Sequence, residues 1–173
     1  MNKKQNVLSS FSSSDIKDPN KAQEIAELVV KHMEENKGAT LRQALGLSDE
    51  ALEKIYSLAH SHYNSGKYQD ASSLFYMLIS ISPTSFKYAL GLAASYHALN
   101  LYQDAINGFF LAHYLDSTNP IPTFYIADSF IKMQEHPELA EAFLETTIDL
   151  CNGNTKHQEL KDRSILMKQF LKK

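Results

Sequence analysis

With 173 residues, 43% of them hydrophobic, and a formal net charge of -3, the chain is long enough to bury one core and too apolar to be disordered throughout. The charge is uneven: residues 155–173 hold six Lys and Arg against two acids, whereas 21–154 hold eight against sixteen, which makes the body a poor match for phosphate backbones. A single cysteine, Cys151, excludes an intramolecular disulfide and a Cys-rich zinc site, and with only 6 Gly and 5 Pro the composition favours an all-α chain.

Residues 1–18 are Ser-rich and polar without a sustained period, and read as a mobile arm. No signal-type apolar core follows the basic start and no uninterrupted membrane-spanning run occurs, so a soluble protein of the reducing cytoplasm is expected. In the segment 18–38, Asp18 caps a helix, Pro19 suits its first turn and Gly38 lies beyond its far end. Its stripe of Ala22, Ile25, Ala26, Val29, Val30 and Met33 must meet either the body or a second copy of itself. Ser48, followed by Asp49 and Glu50, starts another helix, which breaks near Asn64 to Gly66. Helices are then expected from about Lys67 to Ile81, Ser85 to Ala98 and Tyr102 to Leu115, punctuated by Pro83 and Pro120. After Gly153, Thr155 and Gln158 have capping-box spacing, and Leu160, Leu166, Met167 and Phe170 mark one side of a final helix with a polar outer face. The basic residues of that end read first as a solvated face and second as a contact for nucleic acid.

The ten residues "GKYQDASSLF" at 66–75 recur as "NLYQDAINGF" at 100–109, a period of 34 that a pair of antiparallel helices and two tight turns fills. In 52–85 the pattern runs Ile55, Leu58, Ala59, Gly66, Tyr68, Ala71, Phe75, Leu78 and Pro83; in 86–119 it runs Ala89, Leu92, Ala93, Tyr96, Tyr102, Ala105, Phe109 and Ala112. On these residues the chain resembles tetratricopeptide repeats, with Asn100 and Ser117 departing at the Gly and Pro places. A third unit, 120–153, aligns Ile126, Ala127 and Phe130, but Ala140 and Leu144 require one extra residue in "MQEHPEL". The resemblance implies an α-solenoid of three helix hairpins (52–85, 86–119, 120–153), preceded by a helical segment at 19–51 and closed by a capping helix at 154–173. Small residues then serve close helix crossings, and the repeated aromatics are packing residues.

No catalytic constellation emerges. His60 and His62, two apart, point to different helix faces and lack an intervening Glu, so zinc is not expected. "SGKY" has no upstream glycine for a phosphate loop, no Gly-x-Ser-x-Gly elbow occurs, and Cys151, His113 and His136 have no evident partners. Acidic pairs such as Glu34 with Glu35 and Glu138 with Glu141 read as solvated helix faces. A binding module that needs no cofactor and no metal is the better class than an enzyme.

In such a solenoid the first helix of each pair lines a trough suited to an extended peptide. Once the packing positions are set aside, the trough candidates are Tyr56, His60, Tyr63 and Asn64, then Lys87, Leu90, Ala94 and His97, then Ile121, Phe124, Asp128 and Ile131. This set is apolar and aromatic, unlike a Lys- and Arg-rich carboxylate clamp, to which only Lys87 and Lys132 would contribute. Core packing is the rival reading for each aromatic taken alone.

A closer resemblance covers residues 20–153. Three repeats with a leading helix, the "IYSLA" opening, Gly91 with Leu92, and "DSTNPIPTFYIADSF" ahead of Leu-Ala-Glu-Ala at 139–142 are similar to the class II translocator chaperones of bacterial type III secretion, the LcrH/SycD-like family. The resemblance implies a cytoplasmic escort that holds an extended stretch of hydrophobic translocator proteins in the trough. It also implies binding tyrosines at Tyr56 and Tyr63, with His60 where the family often has an aromatic, and a homodimer through Ile25, Val29 and Met33. Neither nucleic acid nor stable membrane insertion enters this reading. The alternative is a general tetratricopeptide adaptor of another soluble complex.

Overall fold

A computed structural model describes residues 45–171, together with Glu27, Lys31 and Arg42 on helical turns. The described residues are all-helical and carry no strand. The proposed arm at 1–18 and the stripe through Ile25, Val29 and Met33 lie outside the described residues.

The chain divides into two compact units, Met1–Lys54 and Ile55–Lys173. In the first, Arg42 holds the approach to a helix: its Nη2 pairs with Asp49 Oδ1 at 2.6 Å and its Nε donates to the Leu47 carbonyl at 3.2 Å. The Ser48 hydroxyl accepts the Ala51 N–H at 3.1 Å, the start signal expected of it. That helix, α1 (Asp49–Asn64), runs on into the second unit.

In the second unit follow α2 (Tyr68–Ile81), α3 (Phe86–Ala98), α4 (Tyr102–Leu115), α5 (Pro120–Met133), α6 (Pro137–Cys151), a 3-10 turn (Thr155–His157) and α7 (Gln158–Leu171). From α2 onward, each helix packs on its neighbours in the chain. Burial repeats with the period seen in the sequence. Ala59, Ala93 and Ala127 on the first helices are sealed, as are Ala71, Ala105 and Ala140 on the second, with Phe75, Phe109 and Leu144 beside them. A methyl group at each crossing lets the backbones approach; at Gly108 an added Cβ would stand 2.8 Å from that of Ala93.

The turns explain the departures from the repeat pattern. Gly66, Asn100 and Gln134, spaced by 34, all adopt positive φ (75°, 61° and 57°). After each, the next N–H reaches back five residues: Lys67 to His62 at 2.9 Å, Leu101 to Tyr96 at 3.0 Å, and Glu135 to Phe130 at 3.2 Å. This is the Schellman ending, so Asn100 performs the glycine's task with a side chain that tolerates the left-handed region. The extra residue expected in the third unit is His136, also left-handed at φ 49°, inserted before Pro137. Gln134 has no such tolerance, so Gln134→Gly is expected to stabilise the fold by about 0.5–1 kcal/mol, read as a raised urea midpoint at unchanged slope.

Two expectations are corrected at the solenoid's ends, and one repeat position departs from its counterparts. Asn154, not Thr155, caps the last segment, its side chain accepting the Lys156 N–H at 3.1 Å. In α7 the inward stripe is buried Ser164 with partly buried Leu160, Met167 and Leu171, at i, i+4, i+7 and i+11 from Leu160; Leu166 and Phe170 fall outside it and are exposed. Leu58, unlike its counterparts Leu92 and Ile126, is half exposed, because α1 opens its unit and no earlier hairpin of that unit meets this face.

Candidate functional site: a ring-walled cavity on the first helices

Between α1 and α3 lies a cavity of about 360 Å³, lined by Tyr56, His60, Tyr63, Phe75, Phe86, Lys87, Leu90, Gly91 and Ala94. Six of these, Tyr56, His60, Tyr63, Lys87, Leu90 and Ala94, are positions that the sequence assigns to the trough. Their convergence follows from the repeat: 56 and 90, and likewise 60 and 94, are 34 apart and occupy equivalent places on consecutive first helices.

Tyr56 stands at the centre of the ring cluster. Its centroid lies 6.0 Å from that of Phe75, edge-on, 5.8 Å from Tyr88 and 6.1 Å from His60. Lys87 Nζ sits 4.4 Å from the Tyr56 centroid and 5.4 Å from that of Tyr88, so the cation is held by ring faces. Tyr63 packs edge-on against Tyr68 at 5.3 Å, and burial, with Tyr125 and Tyr68 adding, raises its phenol above the ordinary value. The Asn64 amide donates to His60 Nδ1 at 3.0 Å and fixes that ring at the rim. The walls are therefore stiff and mainly apolar, with hydroxyl, imidazole and ammonium groups at the edge, which suits an apolar side chain whose backbone stays polar.

The remaining candidates are placed differently. His97 Nε2 donates to Asp128 Oδ2 at 2.8 Å, and the two half-buried groups satisfy one another across α3 and α5. Around the imidazole stand Tyr125 at 5.1 Å and Tyr102 at 5.4 Å, both edge-on. Phe124 is a correction: it is fully buried with Ala127 and Leu144, beneath Leu160, Met167 and Leu171, and its ring carries the Arg163 guanidinium at 4.8 Å. At the position where Tyr56 and Leu90 line the cavity, the capping helix closes over the third unit. Ile131 packs against the same core, and Ile121 is a half-buried first-turn residue whose N–H the Asn119 side chain accepts at 3.0 Å. Neither Asn64 nor any of His97, Ile121, Phe124, Asp128 and Ile131 lines this cavity.

Phe75, Phe86 and Gly91 line it without having been assigned to the trough. Phe86 is legible in hindsight, one turn before Leu90 on the same face. Among the described residues no group of three or more His, Cys, Asp or Glu is arranged to hold a metal ion. Cys151 is buried and free, and burial pushes its thiol up, outweighing the opposing effect of Lys161. Among the described residues no helix is long and apolar enough to cross a membrane.

The tetratricopeptide repeat family model matches residues 52–80. Low calcium response locus protein H of Yersinia pestis is 31% identical over 135 residues, covering 78% of this chain and 80% of that protein. The type III secretion translocator chaperone SycD of Yersinia enterocolitica superposes with a TM-score of 0.70 at 30% identity, over 73% of this chain and 86% of that one. PcrH of Pseudomonas aeruginosa, solved in complex with the chaperone-binding region of PopD, gives a TM-score of 0.71 at 27% identity, over 73% and 95%. The repeat, its left-handed turns and these relatives agree, and the chain belongs to the translocator chaperones of type III secretion systems, the LcrH/SycD-like family.

Proposed function

We propose that the protein is a cytoplasmic chaperone that holds an extended segment of hydrophobic translocator proteins along its first helices, keeping them from aggregating or inserting before export. The observation that carries this is the cavity between α1 and α3, ring-walled and about 360 Å³ in volume, in the wall where a peptide of that kind would lie. Sequestering one segment lowers the free concentration of a membrane-active protein by mass action, without nucleotide or covalent chemistry. The solved complexes of PcrH with regions of PopD and PopB, and of SycD with a YopD peptide, support the same mode. Purification of the tagged chain from a secreting bacterium, with mass spectrometry, is expected to recover a secreted protein with long apolar segments. Recovery of soluble cytosolic partners alone would favour a general adaptor and defeat the proposal.

We also propose that residues 19–51 form a homodimerisation segment through Ile25, Val29 and Met33, since an apolar stripe of that length requires a partner surface. Light scattering is expected to give twice the monomer mass for the native chain and the monomer mass for Val29→Asp with Met33→Asp. Equal masses for both would remove the stripe from the interface.

A further inference from the structure

The second helices of the repeats carry a surface of one sign. α2, α4 and α6 contain six acids, Asp70, Asp104, Glu138, Glu141, Glu145 and Asp149, and no Lys or Arg. On α4, Phe110, Leu111 and Tyr114 are exposed on one face, and on α2 Tyr76 and Met77 are exposed at the places equivalent to Phe110 and Leu111, 34 residues earlier. Between these helices α3 contributes half-buried Tyr96, whose phenol is pushed up by burial, by the Asp104 carboxylate and by Tyr76, so the two tyrosines and the acid stand within electrostatic reach of one another. Among the described residues no cation pairs with Asp104. In the third repeat, once the inserted His136 is counted, Glu145 takes the place of Phe110, and Lys168 of α7 pairs with it and, at 3.8 Å, with Glu141. An acid on a second helix is there met by a lysine from a helix laid beside it.

We propose that the outer face of α2 and α4 is the docking surface for a basic amphipathic helix of a second protein, whose Lys or Arg enters between Asp104 and the rings of Tyr76 and Tyr96. Its apolar side chains lie along Met77, Phe110, Leu111 and Tyr114. A stripe at helical spacing is complemented by the ridge of another helix, and a cation set against a carboxylate and phenol rings gains from both. Charge decides the occupant. An anionic membrane or a nucleic acid would meet six acids with no base among them, and a second copy presenting the same face would set acid against acid. The cavity lies between α1 and α3, so this face stays available when the cavity is filled, and the proposal holds whether or not the cavity takes a translocator.

The full-length chain is titrated with a synthetic peptide of about 14 residues, the length of α4, with leucines on one helical face and lysines on the other, and followed by NMR at the Met77, Leu111 and Ala94 methyls. Saturable shifts are expected at Met77 and Leu111 and none at Ala94, in the cavity wall; the same peptide with glutamate for lysine is expected to bind at least about tenfold more weakly. Asp104→Asn is expected to weaken binding about threefold, whereas Glu138→Gln, the same change of net charge away from the apolar face, leaves it unchanged. Tyr76→Ala with Tyr114→Ala is expected to weaken it at least about tenfold with the melting temperature retained, since both rings are exposed. Shifts at Ala94 in place of Met77 and Leu111, equal binding of the glutamate peptide, equal losses in Asp104→Asn and Glu138→Gln, or full binding by the double tyrosine variant each overturn the proposal. So do shifts of the same methyls on dilution without peptide, which assign the face to a second copy, or on addition of phosphatidylglycerol vesicles, which assign it to a membrane.

Discussion

Phe109→Ala is expected to destabilise the protein by about 3–5 kcal/mol, the range for removing a buried ring that leaves a cavity. The ring is 0% exposed, shares one core cluster with Ala93, Ala105, Ile126, Phe130 and Ala140, and stacks on Tyr125, so it joins the second repeat to the third. For a chain of this size the loss corresponds to a fall in melting temperature of about 6–20 °C. Tyr114→Ala, on the same helix but 84% exposed, is expected to stay within about 0.5 kcal/mol. Equal shifts for the two variants in thermal denaturation would contradict the assignment of Phe109 to the core.

The second large effect is on binding. Tyr56→Ala combined with Tyr63→Ala is expected to weaken capture of the co-purified translocator segment by at least about 30-fold, since a buried aromatic anchor is worth 2 kcal/mol or more at an interface. Both rings stand in the cavity wall, and removing them takes from Lys87 the nearer of the two ring faces that it covers. Tyr56 also packs on Phe75 and Tyr88, so this variant is expected to lose some stability as well. Tyr63→Phe separates the two roles: it keeps the ring and removes only the hydroxyl, whose pKa burial pushes up. Fluorescence anisotropy with the labelled segment measures all three proteins, and wild-type affinity in the double variant would remove these tyrosines from the site.

The candidate site was half legible from sequence. Tyr56, His60, Leu90 and Ala94 were found because a period of 34 and a helical repeat of 3.6 together fix which face a residue takes. Phe124 obeys the same periodicity and fails, since its exposure depends on what packs next, and the capping helix contributes Leu160, Met167 and Leu171 there. His97 and Asp128 also occupy periodic positions, but their side chains are close enough to satisfy each other. In α7, Leu166 and Phe170 are apolar and yet exposed, a choice made by the axial rotation of the helix on α5 and α6 and not by residue type.

By itself the sequence determined the all-helical solenoid, the register of its hairpins and the extra residue before Pro137, because each is local or periodic: spacing of apolar residues, turn residues able to take positive φ, and small residues at crossings. The tertiary structure alone decided that a ring-walled cavity opens at the α1/α3 junction. Gly91 looks like one more small packing residue in the sequence; in the structure it lines the cavity, with the Phe75 ring settled on its backbone. Empty volume is a property of how neighbouring helices meet, and no single helix encodes it.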